Sequence, residues 1–115
     1  MPGFELIGKK ENKELNNIFK NSNGVLFGHA FEKLRKNIFR VREFEKQVSK
    51  KLKVKYCVAT TSGTMAQYVA MKALGIKEND EVITQAFTFV ATLEAIMAIK
   101  AKPVIIDVDN SFNMC

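Results

Sequence analysis

Cysteine and histidine are scarce in this chain: 115 residues carry two cysteines and one histidine. Cys57 sits inside an apolar run and Cys115 at the end, so they form neither a CxxC pair nor a spaced metal set. Reduced thiols and a cytoplasmic location are therefore expected. The lone His29 stands in an irregular stretch with no neighbour in sequence that would make it a base or a ligand. No Walker glycine-lysine motif, GxSxG elbow or HExxH pair occurs, which removes the common signatures of nucleotide hydrolysis, serine hydrolysis and zinc proteolysis. The opening Met1-Pro2-Gly3-Phe4-Glu5 lacks the apolar centre of a signal peptide, and later apolar runs are too short and interrupted to span a bilayer. No membrane partner is expected.

Apolar residues make up 47% of the chain, enough for a core in one small domain or in a piece of a larger one. The net charge of +6 is unevenly placed, because ten of the eighteen basic residues fall between Lys33 and Lys55. Such a cluster suits an acidic partner or nucleic acid. A solvated helix face explains it equally, since Val41, Phe44, Val48 and Leu52 recur at spacings of three and four and predict a buried stripe beneath the charges. A small basic binding module stays as the alternative function, with nucleic acid the less expected partner.

Organisation changes near residue 55. Glu11 to Phe19 carry a short helical pattern through Leu15, Ile18 and Phe19, which Asn21-Ser22-Asn23-Gly24 breaks. Phe31 to Leu52 reads as one or two basic amphipathic helices. These segments predict an arm over residues 1–54. Residues 55–115 then alternate: a strand at Tyr56 to Ala59, a helix at Thr64 to Leu74 burying Ala66, Val69, Ala70, Ala73 and Leu74, a left-handed cap at Gly75, and a turn at Lys77 to Asp80. A strand at Glu81 to Thr84, a helix at Thr88 to Ile99 and a strand at Val104 to Val108 complete the set. Strands alternating with helices of this length predict an α/β fold with a mainly parallel sheet.

In such sheets ligands collect where strands end and helices begin. Two corners qualify. Thr60 to Thr64 joins hydroxyls to a helix start around Ser62, Gly63 and Thr64, where amides and the helix dipole favour an anion. Thr84 to Thr88 leads into Phe89, so that Phe87 and Phe89 offer aromatic faces to a flat ring. Each has a plain structural alternative: Ser62 as a helix cap and Phe89 as core. Asp107 and Asp109, flanking a valine at a strand end, read as a solvated turn.

The order of Phe44-Glu45, Tyr56, Ser62-Gly63-Thr64, Ala73-Leu74-Gly75-Ile76, Asp80-Glu81-Val82-Ile83, Phe87-Thr88-Phe89-Val90-Ala91-Thr92, Pro103-Val104 and Asp107-Val108-Asp109 closely resembles the N-terminal portion of the DegT/DnrJ/StrS-type sugar aminotransferases. The opening Pro2-Gly3-Phe4-Glu5-Leu6 is also similar to the subgroup acting as 8-amino-3,8-dideoxy-octulosonate aminotransferases. The resemblance implies the N-terminal part of a fold-type I large domain that uses pyridoxal 5'-phosphate, is a homodimer at full length, and moves an amino group from glutamate to a keto-sugar, nucleotide-linked or a 3-deoxy acid sugar. It implies that Ser62, Gly63 and Thr64 hold the cofactor phosphate and that Phe89 stacks on the ring. Pyridoxal chemistry also needs a lysine to carry the cofactor and a carboxylate for its ring nitrogen. Family members hold both downstream of the matched region. No catalytic residue is therefore assigned here, and the chain is expected to be a truncated form, inactive alone. An unpaired sheet edge in such a piece predicts a marginal or aggregation-prone monomer.

Overall fold

A computed structural model of the chain describes residues 6–26 and 30–115. Pro2, Gly3, Phe4, Glu5 and His29, singled out above, lie outside the described residues. The chain falls into two compact units, Met1–Val58 and Ala59–Cys115.

The first unit holds helices α1, Lys9–Asn21, and α2, Arg40–Leu52. Helix α1 begins where the Glu11 carboxylate accepts the Gly8 amide at 2.7 Å, which lowers the Glu11 pKa, and it ends where Ser22 returns its amide to the Ile18 carbonyl. Phe31 to Asn37, predicted helical, forms turns instead, with left-handed backbone at Phe31, Lys36 and Asn37. Helix formation starts at Arg40 because the preceding Phe39 is extended and the Arg35 side chain is drawn back to the Ile38 carbonyl at 3.1 Å. The stripe predicted to be buried on α2 is not buried: Val41, Phe44 and Leu52 are exposed and Val48 is half-buried. Periodicity marks an apolar face, but no described element of this unit covers it.

The second unit runs α3 (Gly63–Ala73), β1 (Glu81–Gln85), α4 (Val90–Ala98) and β2 (Lys102–Ile106). Its two strands are parallel, with Glu81 opposite Lys102 and Gln85 opposite Ile106, so β1, α4 and β2 form one βαβ crossover. The ladder is extended by Lys102 donating to the Asp80 carbonyl and Ala86 donating to Ile106, each at 2.8 Å. The α/β class is observed. The sheet, however, has two strands and not three. Tyr56 to Ala59 is irregular, with Tyr56 and Val58 exposed, so the strand predicted there is not observed.

The core is small. Ile96, Ile99 and Ala101 are buried, and Tyr68, Met71, Ile76 and Val82 close around them. Helix α3 therefore turns Thr64, Tyr68 and Met71 inward, at intervals of four and three, and not the predicted Ala66, Val69, Ala70, Ala73 and Leu74, all of which are exposed. Both faces of α3 are apolar, and the side on which α4 lies decided between them. Gly75 meets its expectation: φ is +81°, its amide reaches the Lys72 carbonyl at 3.0 Å and the Ile76 amide reaches Met71 at 3.1 Å. These two bonds make a Schellman cap, and its apolar contact is Ile76 against the same core that Met71 joins. Asn79, at φ 71°, turns the chain into β1 while Asp80 Oδ2 accepts the Lys77 amide at 2.8 Å.

Candidate functional site

The α3 start is built by Ser62. Its backbone is extended, and its Oγ accepts the Met65 amide at 3.1 Å, while its carbonyl accepts the Ala66 amide at 3.0 Å. Thr60 Oγ1 donates to the same carbonyl at 2.9 Å and steadies the approach to the helix. The plain reading of Ser62 as an N-cap is thus observed. It does not consume the whole terminus, because the amides of Gly63 and Thr64 are the first two of α3 and have no intrahelical acceptor.

Space at this terminus is open. A Cβ placed on Gly63 would meet no heavy atom within 4 Å. Ser62 and Thr64 also line a depression of about 320 Å3 with Met65, Tyr68, Glu94, Ala95 and Ala98. The dipole of a short helix contributes only about 0.3–1 kcal/mol toward an anion. Affinity there depends on adding amide and hydroxyl donors: Gly63 N–H, Thr64 N–H, and the hydroxyl protons of Ser62 and Thr64. These groups fit a phosphate. Glu94 lines the same depression, and its carboxylate disfavours an anion beside it, since like charges repel.

Phe89 is in the second corner. It precedes α4 in extended conformation and is 78% exposed, so the core reading of this residue is set aside. With Gln85, Phe87, Thr88 and Phe112 it lines a separate depression of about 550 Å3 beyond the C-terminal end of β1. Gln85 Nε2 donates to the Phe87 carbonyl at 2.7 Å, and the Thr88 and Thr92 hydroxyls lie 3.1 Å apart. Ser62 and Thr64 thus share one depression, Phe89 lines another, and Gly63 borders neither. No lysine lines either one. Sequence reasoning had not included Phe112, Gln85 or Glu94. The signal for Gln85 was its place at the end of a strand, whereas Phe112 is brought in by a turn with no periodic pattern.

In the basic segment, three arginines are engaged within the first unit. The Arg35 and Arg42 guanidinium carbons lie 4.2 and 4.1 Å from the centroid of the buried Phe39 ring. Arg40 pairs with Glu43 at 2.9 Å and Glu14 at 3.5 Å, and Glu43 raises its pKa. Among the described residues no His, Cys, Asp and Glu grouping could hold a metal ion, and no helix is long and apolar enough to cross a membrane.

Residues 10–115 match the DegT/DnrJ/EryC1/StrS aminotransferase family. The UDP-2-acetamido-2-deoxy-3-oxo-D-glucuronate aminotransferase of Pseudomonas aeruginosa is 42% identical over 69 residues, which is 60% of this chain and 19% of that protein. An aminotransferase structure from Psychrobacter cryohalolentis superposes with a TM-score of 0.74 at 31% identity, over 94% of this chain and 24% of that one. The NtdA structure from Bacillus subtilis with bound cofactor PMP gives a TM-score of 0.72 at 30% identity, over 90% of this chain and 22% of that one. The chain spans about a fifth of the length of the curated relatives it matches.

Proposed function

The chain belongs to the DegT/DnrJ/EryC1/StrS aminotransferase family, and from that membership we propose that it forms the N-terminal part of a pyridoxal phosphate-dependent sugar aminotransferase. The whole enzyme would move an amino group from glutamate to a keto-sugar in deoxysugar or cell-surface polysaccharide biosynthesis, as a cytoplasmic homodimer. Residues 55–115 are the cofactor-binding portion and residues 1–54 the arm. One observation carries the reading: the Ser62-capped start of α3, with open space at Gly63, falls inside the span that matches the family.

When bound, pyridoxal phosphate supplies an electron sink for chemistry at the carbon bearing the amino group. This chain's residues do the holding. Gly63 and Thr64 would donate backbone N–H groups to the phosphate with the Ser62 and Thr64 hydroxyls beside them, and Phe89, whose ring is exposed in the separate depression beyond β1, would face the cofactor ring reaching across from that phosphate. Neither depression is lined by a lysine, which supports the reading that the 115 residues hold the cofactor without transaminating alone. A basic binding module has less support, because Arg35, Arg40 and Arg42 are already engaged with Phe39, Glu14 and Glu43.

The test uses pyridoxamine 5'-phosphate, which lacks the aldehyde that reacts with surface lysines. Amide spectra of the 115-residue chain are expected to shift at Gly63 and Thr64 with this probe and with inorganic phosphate. Unmoved Gly63 and Thr64 amides at saturating probe would sink the phosphate assignment. Borohydride reduction with pyridoxal phosphate should give no stoichiometric adduct on a single lysine; one such adduct would overturn the inactivity of the isolated chain.

A further inference from the structure

Three exposed phenylalanines gather at one place in the second unit. Phe87 is 63% exposed, Phe89 78% and Phe112 59%, and all three line the depression beyond β1. Large exposed aromatics in one patch mark a binding surface more often than chance exposure. The Phe87 and Phe112 ring centroids are 5.0 Å apart with the planes inclined by 41°, within the range of an attractive aromatic pair. Phe87 follows β1 and Phe112 follows β2, so the pair joins the carboxyl ends of two parallel strands, where open α/β sheets receive ligands.

The segment carrying Phe112 is built to present it. Asp109 Oδ1 accepts the Ser111 amide at 2.8 Å and the Ser111 hydroxyl at 2.5 Å, Asn113 Nδ2 donates to Ser111 Oγ at 2.9 Å, and Val108 bridges Met114 in antiparallel fashion. The Asp109 and Phe112 amides reach the Asn113 and Asp109 carbonyls at 3.0 Å each. Within this turn Phe112 has φ 59°, a left-handed conformation uncommon for a bulky residue. The turn thus holds an aromatic side chain against Phe87 at a backbone cost, while leaving most of its ring open.

Resting on the function proposed above, we propose that Phe112 is a second aromatic contact for the heteroaromatic ring of the cofactor, a wall set through Phe87 in the depression that Phe89 lines. Gln85 stands in the same depression with its side-chain carbonyl free to accept a hydrogen bond, because its Nε2 is the end engaged with Phe87.

Titration of the full 115-residue chain with pyridoxamine 5'-phosphate, followed by aromatic and amide NMR, tests this. The Phe112 ring signals are expected to move with this probe and not with inorganic phosphate. Phe112→Ala should raise the Kd for pyridoxamine 5'-phosphate by about three- to tenfold, in the range of one lost aromatic contact, Phe112→Tyr should restore it, and the phosphate Kd should be the same in all three proteins. An unchanged pyridoxamine 5'-phosphate Kd in Phe112→Ala, with Gly63 and Thr64 still responding, overturns the inference and leaves the proposed function standing. Equal weakening of both ligands also overturns it, as a loss of structure. Silence of Gly63 and Thr64 toward both ligands removes the proposed function and the inference together.

Discussion

Replacing Ser62 by alanine separates the two roles of the α3 start. The substitution removes the acceptor of the Met65 amide, a 3.1 Å bond, and leaves the Ala66 to Ser62 carbonyl bond in place. Loss of a serine cap typically costs about 0.5–2 kcal/mol. Met65 is 43% exposed, so water replaces the lost acceptor and the cost falls at the low end, about 0.5–1 kcal/mol. One kcal/mol is about a fivefold change in an opening equilibrium. Amide hydrogen exchange along Gly63–Ala73 should therefore quicken by up to about fivefold, with little change in β1 and β2. Ser62→Asp makes the contrast: aspartate caps as well as serine and suits the helix dipole, so α3 protection is kept. Its carboxylate, however, occupies the place proposed for an anion, and inorganic phosphate should no longer shift Gly63 and Thr64. Unaltered exchange in Ser62→Ala would refute the capping argument, and undiminished phosphate binding by Ser62→Asp would refute the anion argument.

Ile96, 2% exposed at the centre of the core, should cost about 2–5 kcal/mol as Ile96→Ala. That loss rivals the whole stability of so small a unit, so the cooperative melt followed by circular dichroism should disappear; a retained midpoint would contradict the assignment of the core. Gly75→Ala has room, with nothing within 4 Å, so its cost is left-handed backbone strain alone, about 1–2 kcal/mol, measured as a lower urea midpoint that Gly75→Asn partly recovers. Asp109 has a depressed pKa, caused first by the Ser111 hydroxyl and then by the Ser111 amide. A depressed carboxylate stabilises the turn fully above its ordinary value of 3.8 and loses that contribution as pH falls through its lower folded value. Phe112 ring signals should hold steady down to the ordinary carboxylate range and change only below it, and Ser111→Ala should move that change to higher pH.

The second unit was the more legible because its signals are local. Glu81–Gln85, Val90–Ala98 and Lys102–Ile106 each overlap their predicted spans, shifted by one or two residues, and Gly75 takes the left-handed conformation its position asked for. The start of α3 was legible in the same way, since a hydroxyl before a helix start commonly caps it and Ser62 does so. Tyr56 to Ala59 failed for a non-local reason. A strand exists through its neighbour, which a run of four apolar residues in sequence does not specify. The α2 stripe of Val41, Phe44 and Leu52 shows the same limit, because periodicity marks a face but does not supply the surface that buries it.

By itself the sequence determined the alternation of strands and helices, the caps and turns that punctuate it, and the ordered residues that tie the chain to its family, because each depends on side-chain chemistry within a few positions. Only the tertiary structure decided that α3 turns Thr64, Tyr68 and Met71 inward, that Ser62 and Phe89 line separate depressions, and that Phe112 stands beside Phe87. Those outcomes join residues up to dozens of positions apart, and they depend on how α4 packs against α3 and on the parallel pairing that brings the ends of β1 and β2 side by side.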